Sequence, residues 1–240
     1  MLRHTSSVGP VRFAFTDRFG GVSAPPYDQL NLGGHVGDDP AAVARNRALL
    51  AEAIGLAPSS VSYMNQVHGA RVAVVDGPWS GAAPEVDALV TTVTDRALAV
   101  LVADCVPVLV ADPEAGVVGV AHAGRAGLAA GVVPALVSAM RDLGARKLTA
   151  AIGPAVCGRC YEVSEAVRAE VAAVVPESWA VTRDETPALD IPAGVAAQLR
   201  TAAAAVVDVG TCTIEDGASY SYRRSGLTGR FAGVAWMSQV

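Results

Sequence analysis

Apolar and polar residues alternate over 11–17, which predicts a strand early in the chain. Two Gly/Pro/Asp-rich stretches, 20–26 and 31–40, read as loops. The pattern then turns helical over 40–54. Asp38 or Asp39 can cap that helix, Pro40 suits its first turn, and Gly55 ends it. Short apolar runs at 61–64 and 71–75 flank a turn at His68-Gly69, and runs at 88–92, 98–103, 106–112 and 117–121 read as strands. A helix is expected over 127–143, a strand over 148–152, a loop over 153–160, helices over 165–174 and 192–204, and a strand over 206–209. Segments 219–222 and 230–236 are expected to pair as the last two strands. No repeat or long linker breaks the chain. The irregular order of strands and helices predicts one α+β (mixed α/β) domain over 1–240, with mixed β-sheets covered by helices rather than a regular βαβ array.

Composition narrows the picture. Hydrophobic residues make up 52% of the 240 and aromatic residues only 5%, so the core is expected to be built from small side chains. The net charge is -5 and no basic tract occurs, which argues against nucleic acid as a partner. Phosphate-sized anions need only a few local arginines. The most apolar run, 97–111, is interrupted by Asp104 and Pro107, so no membrane span is expected. The N-terminus lacks the apolar stretch of a signal peptide, and a cytoplasmic, monomeric protein is expected, with His4 in a mobile terminus. Cys105, Cys157, Cys160 and Cys212 read as thiols or ligands rather than a disulfide framework.

Three side chains stand where strands meet turns: His68, Cys105 and His122. Two imidazoles and a thiolate suit zinc, and three protein ligands leave the open position of a catalytic site. Without a metal, Cys105 could be a nucleophile with His122 as its base. The residues alone leave both readings open. A non-catalytic module with a structural zinc is a third, but such a site needs a fourth protein ligand and none stands out. Arg47 and Arg125 are candidates for holding phosphate, with Arg223 and Arg224 behind them, and Asn31 and His35 are candidate substrate contacts. Cys157-Gly158-Arg159-Cys160 could be a redox pair or half a structural zinc site, with Cys212 the remaining cysteine, but it reads more simply as two unpaired thiols in a loop. Neither G-x-G-x-x-G after a strand nor a P-loop occurs, so no nucleotide cofactor is expected. Four histidines are too few for multicopper oxidation.

The chain resembles the YfiH-type family, also called laccase-domain proteins, polyphenol oxidases or peptidoglycan editing factors. The resemblance rests on Gly20-Gly21-Val22-Ser23, Asn31-Leu32-Gly33, Val36-Gly37-Asp38-Asp39-Pro40, Asn46-Arg47, Asn65-Gln66-Val67-His68-Gly69 and Asp87-Ala88. It continues through Ala103-Asp104-Cys105-Val106-Pro107, His122-Ala123-Gly124, Ile152-Gly153-Pro154, Cys160-Tyr161-Glu162-Val163, Ser221-Tyr222-Arg223-Arg224 and Thr228-Gly229-Arg230. It implies mixed sheets between helix layers and one zinc (copper has also been claimed) on His68, Cys105 and His122. It also implies phosphorolysis of adenosine, inosine, guanosine and methylthioadenosine with inorganic phosphate, and adenosine deaminase activity beside it. Peptidoglycan-precursor editing and copper-dependent phenol oxidation are the other activities it carries. Relatives commonly place Trp-Arg after His-Ala-Gly. Here Arg125-Ala126 follows, so the arginine stands one position early.

Overall fold

The computed structural model describes residues 1–238. In chain order its elements are β1 (Leu2–Val8), β2 (Val11–Thr16), α1 (Pro40–Ala53), β3 (Val61–Ser62), β4 (Val72–Val74), β5 (Ala88–Thr91), β6 (Ala97–Val102), β7 (Val106–Asp112) and β8 (Val117–Ala123). There follow α2 (Arg125–Ala129), α3 (Val132–Asp142), β9 (Thr149–Ile152), α4 (Glu165–Val174), β10 (Trp179–Val181), β11 (Pro187–Leu189), α5 (Ile191–Thr201), β12 (Ala205–Asp208), α6 (Tyr222–Ser225) and β13 (Phe231–Met237).

Two mixed sheets carry the fold. One has the order β1-β2-β13-β6-β3 and the other β12-β9-β7-β8-β5-β4, while β10 and β11 form a separate hairpin. Phe13 and Phe15 of β2 and Leu98 and Val100 of β6 meet Leu109 of β7 and Val118 and Val120 of β8, which fills the space between the sheets. The outer face of the six-stranded sheet is covered by α3 and α5 through Leu136, Met140, Val195 and Leu199, and by Val171 of α4. The outer face of the other sheet lies under α1 through Leu50 and Ala51. The result is four layers, helix–sheet–sheet–helix. Strands β6, β7 and β8 are buried at every residue and read as near-continuous hydrophobic runs, interrupted only by Asp112 at the end of β7 and His122 in β8. Small residues let the layers close: a Cβ on Gly119 of β8 would come within 2.7 Å of Leu136 Cδ1 in α3.

The cap of α1 is as expected, with the Asp39 side chain accepting from the Ala41 amide. Four expectations change. The helix over 127–143 is two helices, because Gly131 takes a left-handed conformation (φ +81°) between α2 and α3. Segment 219–222 is not a strand. The Ser221 hydroxyl accepts from the Arg224 amide and caps the single turn α6, while β13 pairs with β2 and β6 instead. His4 does not lie in a free terminus but on β1, which pairs antiparallel with β2. Strand β8 runs two residues past the expected 121, which puts His122 on the strand itself.

Candidate metal centre

Each of the three candidate ligands is set by local backbone. His68 adopts a left-handed conformation (φ +60°) in the β3–β4 connection. One buried carboxylate holds that turn: Asp87 accepts the amides of Val67, His68 and Gly69 at 3.2, 2.9 and 2.7 Å. Cys105 lies in the three-residue step between β6 and β7, where Asp104 has φ +92°. The Asp104 carboxylate accepts from the Thr213 hydroxyl (2.6 Å) and the Arg223 amide (2.7 Å), and its carbonyl accepts from the Val156 amide (2.9 Å). His122 sits on β8 opposite Pro107 of β7, and its Nδ1 lies 2.8 Å from Asp87 Oδ1. Gly124 leaves room for the group, since a Cβ there would come within 2.9 Å of Cys105 Sγ and 3.0 Å of His68 Cδ2.

These elements bring the three side chains together. Their ligand atoms all lie within 4.8 Å of one another. Cys105 Sγ is 3.9 Å from His68 Nε2, and the two imidazoles meet edge-on with centroids 4.7 Å apart. Burial by itself would push the Cys105 thiol up, but the His122 and His68 imidazoles together bring it down to about 6. Burial would likewise disfavour a charged His122, yet Cys105 and Asp87 raise it to about 9. Without a metal this is a thiolate beside an imidazolium.

The donor set fits one zinc. With Nδ1 donating to Asp87, His122 turns Nε2 toward Cys105, the carboxylate–histidine arrangement that orients zinc ligands. Among the described residues no other His or Cys joins the group, and the site opens on a cavity of about 370 Å³. A multicopper cluster does not fit. Of the other two histidines, His4 is on β1, and His35 lines the cavity outside the ligand group.

Arg125, Arg223 and Arg230 line the cavity with Tyr161, Tyr222, Val156 and Ile191. The one acidic lining residue, Asp104, is already occupied by Thr213 and Arg223. Burial, then the charges of Arg230 and Arg47, lower the pKa of His35, which favours its neutral form. Asn31 stands behind the wall, its Oδ1 accepting from the Arg230 amide at 2.8 Å. Arg47 is also set back from the lining: its Nε donates to the Leu32 carbonyl (2.9 Å) and its guanidinium stacks on Tyr63, 4.1 Å from the ring centre. Arg224 is spent on the carbonyls of Thr213, Ile214, Asp216 and Ser219. Sequence reasoning gave no role to Asp87, Tyr161, Tyr222 or Arg230. For Asp87 a usable signal existed, an acid directly before the apolar run Ala88-Leu89-Val90 of a buried strand. Nothing local distinguishes Arg230.

Fold and site together define an α+β domain with a three-ligand His/Cys/His centre opening on a cation-lined cavity. The chain belongs to the laccase-domain, YfiH-type family, whose model, described as multi-copper polyphenol oxidoreductase laccase, matches residues 12–238. It is 60% identical over 236 residues to a protein of Streptomyces griseus named purine nucleoside phosphorylase, covering 95% of each chain. Among solved structures it is similar to a Neisseria meningitidis protein (34% identity, 98% and 99% of the two chains, TM-score 0.89). It is also similar to the YfiH protein of Bacillus licheniformis (28% identity, 95% and 93%, TM-score 0.88). Among the described residues no helix is long and apolar enough to cross a membrane.

Proposed function

We propose that the protein is a zinc-dependent purine nucleoside phosphorylase, taking adenosine, inosine, guanosine and methylthioadenosine with inorganic phosphate. The observation that carries this reading is the charge of the cavity: three arginines line it beside the His/Cys/His centre, and the single acid there is already hydrogen-bonded. Such a site suits an anionic co-substrate beside a neutral one. The Streptomyces griseus relative, by its name, acts on purine nucleosides.

In the proposed reaction Arg125, with Arg223 and Arg230, holds phosphate against the anomeric carbon, which converts an encounter of two small molecules into a positioned attack. A phosphate oxygen forms the new bond to that carbon as the glycosidic bond to the purine breaks. The bond pair leaves with the base, which takes up a proton. Tyr161, Tyr222, Val156 and Ile191 offer faces for the purine, and neutral His35 can donate to or accept from it. Zinc on His68, Cys105 and His122 would supply Lewis acidity where charge develops on an oxygen. Asp87 keeps His122 in the tautomer that presents Nε2. A cytoplasmic location accompanies this reading, in keeping with four free thiols.

The test is the purified, zinc-loaded protein with a panel of purine nucleosides, with and without phosphate, and chromatography of the products. Free base and pentose 1-phosphate, formed only with phosphate, are expected. Inosine formed from adenosine without phosphate would report the deaminase activity that the family resemblance implies. No conversion of any nucleoside overturns the reading. A second reading rests on one specific feature, the Asp87–His122–Cys105 series with its depressed thiol. That is the layout of a cysteine hydrolase, and a peptidoglycan precursor is then the substrate. Loss of activity on alkylation but not on metal removal would favour it.

A further inference from the structure

A second group of metal-ligating side chains lies outside the His/Cys/His centre, beside a separate groove. Strands β9 and β12 run side by side in parallel, so their following loops leave the sheet together. A parallel bridge between Ala155 and Cys212 continues the pairing, with Ala155 N–H on the Thr211 carbonyl (3.1 Å) and Thr213 N–H on the Ala155 carbonyl (3.0 Å). This register brings the Cys157 amide to 3.5 Å from Cys212 Sγ. It also gathers the sulfurs of Cys157, Cys160 and Cys212 and a carboxylate oxygen of Glu215, all within 4.8 Å of one another.

We propose that these four residues form a closed structural zinc site, distinct from the cavity centre. Three thiolates and a carboxylate complete the four-coordinate shell that a structural zinc takes. Zinc about 2.3 Å from each sulfur spaces the sulfurs about 3.8 Å apart in a tetrahedron, so small side-chain rotations close the shell. Backbone donors favour the thiolate of Cys212, whereas burial pushes the Cys157 thiol up. Cys212 accepts backbone N–H groups of Cys157, Ile214 and Glu215, and Cys157 accepts that of Arg159. Arg183 pairs with Glu215 and reaches to 3.7 Å from Cys160 Sγ, which offsets the negative charge that three thiolates and a carboxylate leave on a divalent cation. Cys212 is buried and Cys157 half-buried, and a groove of about 460 Å³ bordered by both gives an ion its way in. Binding releases the thiol protons to solvent, and no oxidant is involved.

The site ties together two loops that build one wall of the cavity. Val156 and Tyr161 line that wall, and Thr213 holds Asp104 next to Cys105. Zinc here would stiffen the wall without touching substrate.

The test counts zinc per chain by inductively coupled plasma mass spectrometry on the full-length protein after zinc loading and dialysis. Two zinc ions are expected in the native protein and one in Cys105→Ser. One is also expected in the Cys157→Ser/Cys160→Ser double variant. Cobalt-loaded Cys105→Ser should keep the intense near-ultraviolet thiolate band and tetrahedral visible bands. Glu215→Gln, which spares every cysteine, should weaken zinc retention against a chelator about tenfold, and it serves if the double variant does not fold. A Cys105→Ser protein that holds no zinc or cobalt, or one whose Cys157 and Cys160 are joined as a disulfide, overturns the proposal. The readout is metal content, so it stands or falls separately from nucleoside turnover.

Discussion

The two sulfur-bearing clusters differ in where they sit and in what completes them. His68 and Cys105 come from two separate connections and His122 from near the end of β8, and their free side is a cavity. Cys157, Cys160, Cys212 and Glu215 come from two loops at the end of neighbouring strands, and the chain itself supplies a fourth donor. Three ligands with a buried carboxylate behind them make an open site suited to chemistry. Four ligands with an arginine beside them make a closed one suited to holding loops. The same residue types thus take opposite roles according to whether the fourth position is protein or cavity.

The largest effect that separates them is expected from Cys105→Ala. It should lower kcat on the order of a thousandfold while the zinc at the cysteine cluster stays bound. Steady-state kinetics with metal analysis checks this, and activity near the native level would break the contrast.

Thiol chemistry sharpens it next. In metal-stripped protein Cys105 is held down to about 6, whereas Cys160 is pushed up to about 12. At neutral pH the first is mostly thiolate and the second almost wholly thiol. Part of that gap is offset because a thiolate of higher pKa is more nucleophilic, so alkylation of Cys105 should be about a hundredfold faster. Its rate should fall as pH drops through about 6, where the thiolate is protonated. Mass-spectrometric mapping of iodoacetamide adducts measures both, and a midpoint for Cys105 near about 8.5, the value of an unperturbed thiol, would contradict the charge arrangement.

Asp87→Asn tests the carboxylate that stands behind a ligand of the open centre. Zinc affinity at that centre should drop about 10- to 100-fold with the cysteine cluster unchanged, as read by chelator competition. Equal losses at both clusters would point to a general loosening of the fold.

The smallest effects concern the cations around the open centre. Arg125→Ala should raise the KM for phosphate about tenfold, the worth of one charge-assisted hydrogen bond. Arg47→Ala should raise it less, because that guanidinium is engaged by the Leu32 carbonyl and the Tyr63 ring. Phosphate kinetics on both variants rank them, and an unchanged KM in Arg125→Ala rejects its role as a phosphate ligand.

Much of the fold was legible from local pattern. The helix α1 announced both of its ends through Asp39, Pro40 and Gly55, and β7 was readable to the residue because an unbroken apolar run over 106–111 ends at Asp112. The three candidate ligands were also legible, since imidazoles and a thiol at the ends of apolar strands are costly to bury unless they have partners. The misread segments are those where a single hydrogen bond or backbone angle overrides pattern. Gly131 broke a helix that its neighbours support, and the Ser221 cap turned an expected strand into one helical turn.

What the sequence determined by itself is therefore most of the element types and the chemical character of the first cluster, because propensity, capping and burial patterns act over a few neighbouring residues. Only the tertiary structure decided the partners. Asp87 reaches His122 across 35 positions because β5 and β8 pair antiparallel, and Cys212 reaches Cys157 across 55 because β12 docks in parallel on β9. Strand order sets such meetings, and strand order follows from packing two sheets and their helices around shared cores, which no local stretch of sequence encodes.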